Sequence, residues 1–217
     1  IKETKLFASV NRSSGDAIFN QIFQSCVEPK INPYDLIVWD RIFLMLCIRS
    51  LSSRYPYQFP MKCAFCKKQY FFTVNIKKDL LVEERMNYLP ENFMEPFDIK
   101  LLDSGTTLSC KHLKGQDLQE IAKFEDAKAR EGLDPAKESY SFRIAQHIVA
   151  IDGVQVKSPM QKLALVDKFT SIDEEDFQVA MEENSCGLDT TVNPTCPHCG
   201  WEEELYMPMT AEFFRPS

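Results

Sequence analysis

The sequence predicts an α+β protein that combines a helical core, a β-hairpin and a small region built around two Cys-x-x-Cys motifs. Apolar residues recur at helical spacing in several segments, and residues 97–113 show the alternation of two strands joined by a turn. The two motifs, Cys63/Cys66 and Cys196/Cys199, are far apart in sequence, and each precedes a strand-like run. These three observations define the expected fold class.

Length and composition favour one compact body. With 217 residues, of which 44% are hydrophobic and 26% charged, the chain can bury a substantial core, so we expect residues 1–217 to form a single domain. Its subregions follow the changes of pattern along the chain. They are residues 1–58 with the N-terminal helices, 59–113 with the first Cys-x-x-Cys motif, strands and hairpin, 114–185 with a helical insert, and 186–217 with the second motif and the tail.

Two helices are predicted in the N-terminal subregion. The apolar residues between Ile18 and Phe23 follow helical spacing and predict a short helix. Asn32 suits an N-cap and Pro33 suits the first helical position, so a second helix is expected at 33–52. Because that segment is apolar nearly all the way round, we expect it to be a buried central helix.

Pro56 and Pro60 would each end a helix, and the sequence pattern changes to that of a strand after Pro60. Residues 70–76 are aromatic and β-branched and predict a strand. Residues 97–113 alternate on both sides of the turn sequence Asp103-Ser-Gly105, which predicts a hairpin.

Four helices are predicted in the insert. The signals are a closing Gly132, an Asp134-Pro135 start, and capping boxes that begin at Ser158 and Ser171. The predicted helices cover residues 116–130, 135–153, 159–169 and 172–184.

Charge and hydropathy limit the classes of partner. The net charge of −7 argues against a broad electrostatic grip on phosphates, so we expect protein partners rather than nucleic acid. No run approaches the roughly 20 apolar residues that cross a bilayer, and no membrane contact is expected. No signal-peptide pattern follows Ile1, so the eight cysteines are expected in a reducing compartment.

The two Cys-x-x-Cys motifs predict a zinc site. A thiolate pair separated by two residues spans one edge of a zinc tetrahedron when the backbone makes a tight knuckle turn, and two such knuckles complete it. Pro197 and Gly200 favour that turn in the second knuckle, whereas the first has no equivalent residues. We expect Cys63, Cys66, Cys196 and Cys199 to hold one structural Zn²⁺ per chain in a zinc-ribbon-like subregion.

A closed set of four cysteines leaves no open position for catalysis, and this favours a non-enzymatic protein. No phosphate-binding loop, nucleophile elbow or paired carboxylates emerge. A metal hydrolase, which would need an open zinc position, is an alternative. His198 inside the second knuckle, and Cys110 and Cys186 elsewhere, are alternative ligands.

The arrangement resembles the T-even-type bacteriophage baseplate hub family. The residues that carry this resemblance are the first Cys-x-x-Cys before an aromatic strand, the insert with Ile151-Asp-Gly153, the sequence Cys196-Pro-His-Cys-Gly200, and the ending Met207-Pro-Met-Thr-Ala-Glu-Phe-Phe-Arg-Pro-Ser217. The resemblance implies a non-enzymatic structural or assembly component of the baseplate hub of a contractile-tailed bacteriophage. Its expected partners are other baseplate and hub proteins, and its expected locations are the virion tail baseplate and, during assembly, the host cytoplasm.

Two questions stay open at this level. The aromatic pair Phe213 and Phe214 in the tail either contacts a partner or packs internally to close the core. The alternative function is a zinc-ribbon nucleic-acid-binding or transcription accessory protein. It rests on the aromatic and basic residues near the knuckles, which are Phe65, Lys67, Lys68, Tyr70 and Trp201.

Overall fold

The structure, a computed structural model, describes residues 15–209 and Phe213, with side chains from residue 19 onward. Its helices, in chain order, are α1 Gly15–Cys26, α2 Val38–Ser52, α3 Gly115–Arg130, α4 Pro135–His147, α5 Pro159–Val166 and α6 Ser171–Glu183. Its strands are β1 Tyr57–Lys62, β2 Gln69–Val74, β3 Met86–Asn87, β4 Phe97–Lys100, β5 Thr107–Cys110, β6 Ile148–Ile151, β7 Val154–Gln155, β8 Gly187–Leu188, β9 Thr191–Val192 and β10 Leu205–Tyr206. The α+β class expected from sequence is confirmed.

The chain forms two compact units. The described part of unit 1 comprises residues 15–33, 39–87, 187–209 and Phe213, whereas unit 2 comprises residues 34–38 and 88–186. Unit 2 therefore interrupts unit 1 in sequence. That residues 1–217 behave as a single domain stays a prediction.

The core of unit 1 is assembled from distant parts of the chain. Phe23 of α1, Leu46 of α2, Phe59 of β1 and Leu80 of a π-helical turn at Ile76–Leu80 are buried in one apolar cluster. The C-terminal stretch adds further buried apolar side chains to the same cluster: Leu188, Val192, Met207 and Phe213. The end of the chain is thus required to remove the apolar surface of its beginning from water.

Helix α2 begins at Val38, so the predicted start at Pro33 is wrong. The residues that were expected to form its first turn pair with a remote segment instead. The Val38 N–H donates to the Leu113 carbonyl at 2.9 Å, and the Gly115 N–H donates to the Leu36 carbonyl at 3.0 Å. These backbone bonds satisfy groups that the extra helical turn would have satisfied.

The buried face of α2 also contains two arginines, which its apolar pattern conceals. Arg41 is 3% exposed, and its Nη1 donates to Asn20 Oδ1 at 2.8 Å and to the Pro33 carbonyl at 2.7 Å. The Arg49 guanidinium lies 6.0 Å from the centre of the Tyr57 ring. Polar partners and ring faces allow these cations to be buried.

Strands β1 and β2 form an antiparallel hairpin whose turn is the first Cys-x-x-Cys motif. The sequence pattern predicts the outgoing strand β2 but not β1, because Pro60 also fits a helix breaker. Pro60 lies opposite Phe71, between residue pairs that carry the ladder hydrogen bonds, so its missing N–H points away from β2.

A four-stranded antiparallel sheet in the order β4-β5-β6-β7 organises unit 2. The β4–β5 hairpin confirms the prediction for residues 97–113. The predicted helix to residue 153 ends at His147, because residues 148–151 pair with β5 as β6. Asp152 and Gly153, both at positive φ, then form the tight turn to β7.

The helices of unit 2 cover the buried face of this sheet. Ile99, Leu108, Cys110, Ile148 and Phe177 are buried together. The predicted helices at 116–130, 159–169 and 172–184 are confirmed as α3, α5 and α6 with small changes at their ends. The cap of α6 is Thr170, whose side chain accepts from the Asp173 N–H, rather than Ser171. No helix among the described residues is long and apolar enough to cross a membrane.

Candidate metal centre

Four cysteine sulfurs converge in unit 1. Their Sγ atoms all lie within 4.8 Å of one another, with Cys63 and Cys199 3.6 Å apart and Cys66 and Cys196 3.7 Å apart. Such distances are far too long for a disulfide bond. A tetrahedral site with zinc–sulfur bonds of about 2.3 Å has sulfur–sulfur edges of about 3.8 Å. The four thiols therefore fit one tetrahedral metal ion, and the structure brings together all four cysteines that the sequence singled out.

The two knuckles share one backbone geometry. In the first, the Cys63 N–H donates to the Lys68 carbonyl at 3.0 Å and the Lys67 N–H donates to the Cys63 carbonyl at 3.1 Å. In the second, the Cys196 N–H donates to the Trp201 carbonyl at 2.8 Å and the Gly200 N–H donates to the Cys196 carbonyl at 2.9 Å. Each knuckle thus places its two sulfurs by the same hydrogen-bonded turn.

Lys67 and Gly200 occupy equivalent positions at positive φ, 60° and 73° respectively. Glycine adopts this conformation without steric cost, whereas lysine does not. The Lys67 Nζ donates to the Ala64 carbonyl at 2.6 Å, which holds the side chain over its own turn. The first knuckle therefore makes the same turn as the second, but it contains backbone strain that the second avoids.

The acidities of the thiols show how strongly they interact. Burial raises the pKa of Cys63, but the N–H groups of Cys66 and Phe65 and the adjacent thiols outweigh burial and lower that pKa to about 7. The Trp201 N–H lowers the pKa of Cys199, whereas burial and the three other thiols together raise it to about 12. One proton is therefore released easily and another is retained, because neighbouring thiolates repel. A central cation would remove this repulsion and favour four thiolates.

An exposed aromatic pair lies on the two knuckles. The rings of Phe65 and Trp201 stack with centroids 5.7 Å apart and planes 12° apart, although the residues are 70% and 46% exposed. Burial and the nearby acidic groups, among them Cys196, raise the pKa of the half-buried Tyr70. Phe65 and Trp201 are far apart in sequence, and their stacking depends on the convergence of the knuckles.

The alternative ligands lie outside the cluster. His198 is exposed beside it, and Cys110 is buried in unit 2, where burial raises its thiol pKa to about 12. Cys186 also belongs to unit 2. Within the described part of the chain, the four-thiol group contains neither histidine nor carboxylate.

One aromatic side chain of the tail contributes to the core of unit 1. Phe213 is fully buried in the core of unit 1, with its ring 4.8 Å from that of Tyr57 in an edge-on contact. Phe214 lies outside the described residues.

A profile of one protein family, described as T4 bacteriophage base plate protein, matches residues 1–215. The chain belongs to this family. The match spans both units and both knuckles of this T4-type baseplate protein, and it confirms the resemblance seen in the sequence as far as the baseplate. Comparisons with curated proteins and with solved structures found no match.

Proposed function

We propose that this baseplate protein is a non-enzymatic structural or assembly component of the baseplate hub in a contractile-tailed bacteriophage. The family match across residues 1–215 is the observation that carries the proposal. Its partners are other baseplate and hub proteins, and it acts in the host cytoplasm during assembly and at the virion tail baseplate.

The metal centre supports a structural role. Four thiols close the coordination sphere, so an ion held there has no position for substrate or water. Cys66 and Cys196 are separated by 130 residues, and closing so long a loop stabilises the fold by several kcal/mol in the chain-entropy estimate. We propose that the ion is Zn²⁺, one per chain, and that it fastens the end of the chain to its middle.

The test is a phage that lacks this gene product, complemented with either the parent chain or Cys199→Ser. We expect tails to be absent or defective without the protein, to be restored by the parent, and to be restored poorly by the variant. An epitope-tagged parent chain should also recover hub proteins from infected cells. Normal tails without the protein would refute the assembly role, whereas recovery of baseplate proteins other than those of the hub would refute the hub assignment.

A second candidate function is a zinc-ribbon nucleic-acid-binding or transcription accessory role. The exposed stack of Phe65 and Trp201 favours it, because aromatic platforms beside cations bind single strands. Lys67 and Lys68 on the first knuckle are exposed. Titration with labelled single-stranded DNA and RNA at low salt decides this alternative: salt-sensitive binding that Trp201→Ala abolishes would support it, and the absence of binding would remove it.

A further inference from the structure

We propose that unit 2 binds an extended, Lys/Arg-rich segment of a partner protein, which adds as a strand to the free edge of β4 beside α6. The inference goes beyond the proposed function and requires neither the metal nor a place in the hub. It rests on an unpaired sheet edge, the groove next to it, and the charge of that groove.

The edge of β4 has backbone groups available for pairing. Strand β4 is the end strand of its sheet, and the Leu101 N–H donates to the Thr106 carbonyl at 2.9 Å. Because hydrogen-bonded positions alternate along an antiparallel strand, the N–H and C=O groups of Asp98 and Lys100 point away from β5. Within the part of the chain that the structure describes, no backbone group bonds to this edge at those two residues.

A groove of about 390 Å³ runs between this edge and α6. The Leu102 N–H donates to Asp176 Oδ2 at 2.7 Å, which attaches the helix to the chain at the end of β4. The groove therefore has a backbone wall that can form hydrogen bonds and a helical wall that presents side chains. This is the geometry used when a peptide adds a strand to a sheet.

Carboxylates dominate the groove. Four side chains are acidic and one is basic: Asp98, Glu175, Asp176 and Glu183 against Lys100. Helix α6 contains six Asp and Glu and neither Lys nor Arg, and Glu183 lies at its C-terminal end, where the helix dipole disfavours negative charge. A cationic segment would offset both effects, so charge complementarity selects a basic occupant.

The same sign of charge extends over the whole unit. Unit 2 has 20 Asp and Glu against 11 Lys and Arg, a formal charge of −9, whereas unit 1 has 12 against 14, a formal charge of +2. The acidic balance of the protein thus belongs to unit 2 alone. Such a field steers a basic segment towards the unit before contact is made.

Apolar side chains complete the site. Leu102 is 71% exposed and Val179 is 49% exposed, and both line the groove. In an added strand, successive side chains point to opposite faces. A segment that alternates Lys or Arg with apolar residues can therefore place one set against these two side chains and the other near the carboxylates.

The experiment is a fluorescence-anisotropy titration of the full chain with a labelled ten-residue probe that alternates Lys and Val. An otherwise identical probe that alternates Glu and Val controls for sequence-independent binding. A third probe, N-methylated at alternate residues, cannot donate the backbone hydrogen bonds of a strand. We expect only the unmodified Lys–Val probe to bind, with affinity falling roughly tenfold between about 50 mM and about 500 mM NaCl.

Two protein variants locate the binding. Lys100→Pro removes an outward N–H, so β4 keeps its bonds to β5 and loses a donor at its free edge. The variant also removes a basic side chain from the groove, which favours a basic probe, so weaker binding reports the lost edge. The double variant Glu175→Lys/Glu183→Lys reverses charge in the groove, and Glu91→Lys/Asp126→Lys makes the same change of net charge at exposed positions of unit 2 outside the groove. We expect Lys100→Pro and Glu175→Lys/Glu183→Lys each to weaken binding of the Lys–Val probe at least tenfold. The control Glu91→Lys/Asp126→Lys should change that affinity less than about twofold.

Each contrary result overturns the proposal. These results are no binding of the Lys–Val probe, equal binding of the N-methylated or Glu–Val probe, or equal loss in the matched control. If Lys100→Pro fails to fold, the N-methylated probe still tests strand addition on the parent chain. If light scattering shows a dimer that Lys100→Pro dissociates, the edge pairs with a second copy and not with a basic segment.

Discussion

Asn87 and Gly187 lie opposite each other in the antiparallel pair of β3 and β8, at the two ends of the segment 88–186. The chain thus leaves unit 1 and returns to it at adjacent residues. At that point Gly187 has a φ of 106°, and a Cβ added there would lie 2.7 Å from the Cβ of Trp39. Only glycine allows the returning strand to pass this close to α2.

Gly187→Ala should therefore destabilise unit 1 strongly, by about 2 to 3 kcal/mol, because the clash and the backbone strain add. Gly153→Ala is the matched control. Its φ is 76° and its Cβ would meet nothing within 4 Å, so strain alone should cost about 1 kcal/mol. Urea unfolding of both variants measures the two losses, and equal losses would contradict the close approach to Trp39.

Cys199→Ser should abolish the metal site and loosen unit 1 while the helices of unit 2 persist. We expect the parent to contain one zinc per chain in native mass spectrometry, the variant to contain none, and the melting temperature of unit 1 to fall by roughly 10 °C.

Both tryptophans, Trp39 and Trp201, belong to unit 1, so tryptophan emission follows the unfolding of that unit, whereas far-UV circular dichroism follows the helices of both units. Cys26→Ser changes an exposed cysteine outside the cluster and should leave the zinc content unchanged. An unaltered emission melt in Cys199→Ser would show that the cluster does not stabilise the fold.

Lys67 in the first knuckle and Gly200 in the second occupy equivalent positions, so replacing Lys67 by glycine and replacing Gly200 by alanine should have opposite effects on stability. Lys67→Gly removes the strain of a side chain at positive φ and should raise the free energy of unfolding by about 0.5 kcal/mol. Gly200→Ala introduces the same strain and should lower the free energy of unfolding by about 1 kcal/mol. Ala64→Gly, in the same turn but without a positive φ, should be destabilising. Chemical unfolding with zinc in excess measures all three. Loss of stability in Lys67→Gly would argue against the shared turn.

We expect His147 to make unit 2 sensitive to acid. Burial lowers the pKa of His147 below its ordinary value, although the hydrogen bond between its Nδ1 and the Lys111 carbonyl, 2.9 Å long, opposes that effect. The unfolded chain therefore binds the proton more tightly than the folded chain does. The stability that neutral His147 contributes is present above its unfolded pKa, near 6.5, and is lost as pH falls through its folded pKa.

His147→Gln keeps a polar side chain that cannot become charged in this range. Urea midpoints measured by circular dichroism between about pH 7 and about pH 5 should fall more steeply for the parent than for the variant. Parallel curves for His147→Gln and the parent would exclude His147 as the source of the acid sensitivity.

The metal centre was more predictable than the fold around it. Cys-x-x-Cys is a local pattern with one dominant chemistry, so the four cysteines of the candidate site could be named from sequence. Their cross-pairing, with Cys63 beside Cys199 and Cys66 beside Cys196, depends on the relative placement of two remote turns. The stacking of Phe65 on Trp201 has the same origin, and no local signal specifies it.

The errors in the fold arose where a remote segment outweighed local preference. Residues 34–37 follow the helix-start signals of Asn32 and Pro33, but the segment 113–116 supplies their backbone partners. Residues 148–151 continue a helical pattern, yet β5 binds them as a strand. Arg41 is buried because Asn20 and the Pro33 carbonyl lie near it, which the spacing of residues in α2 cannot show. Pairing between distant segments is the information that a single sequence lacks.

The separation of the two knuckles imposes an order on synthesis. A ribosome makes the first ligand pair early and all of residues 88–186 before the second pair, Cys196 and Cys199. Unit 2 can therefore be folded while unit 1 still lacks half of its ligands and the buried apolar residues that follow Gly187. The candidate metal site is thus completed late, and its completion distinguishes a chain made through Cys199 from one that stopped early.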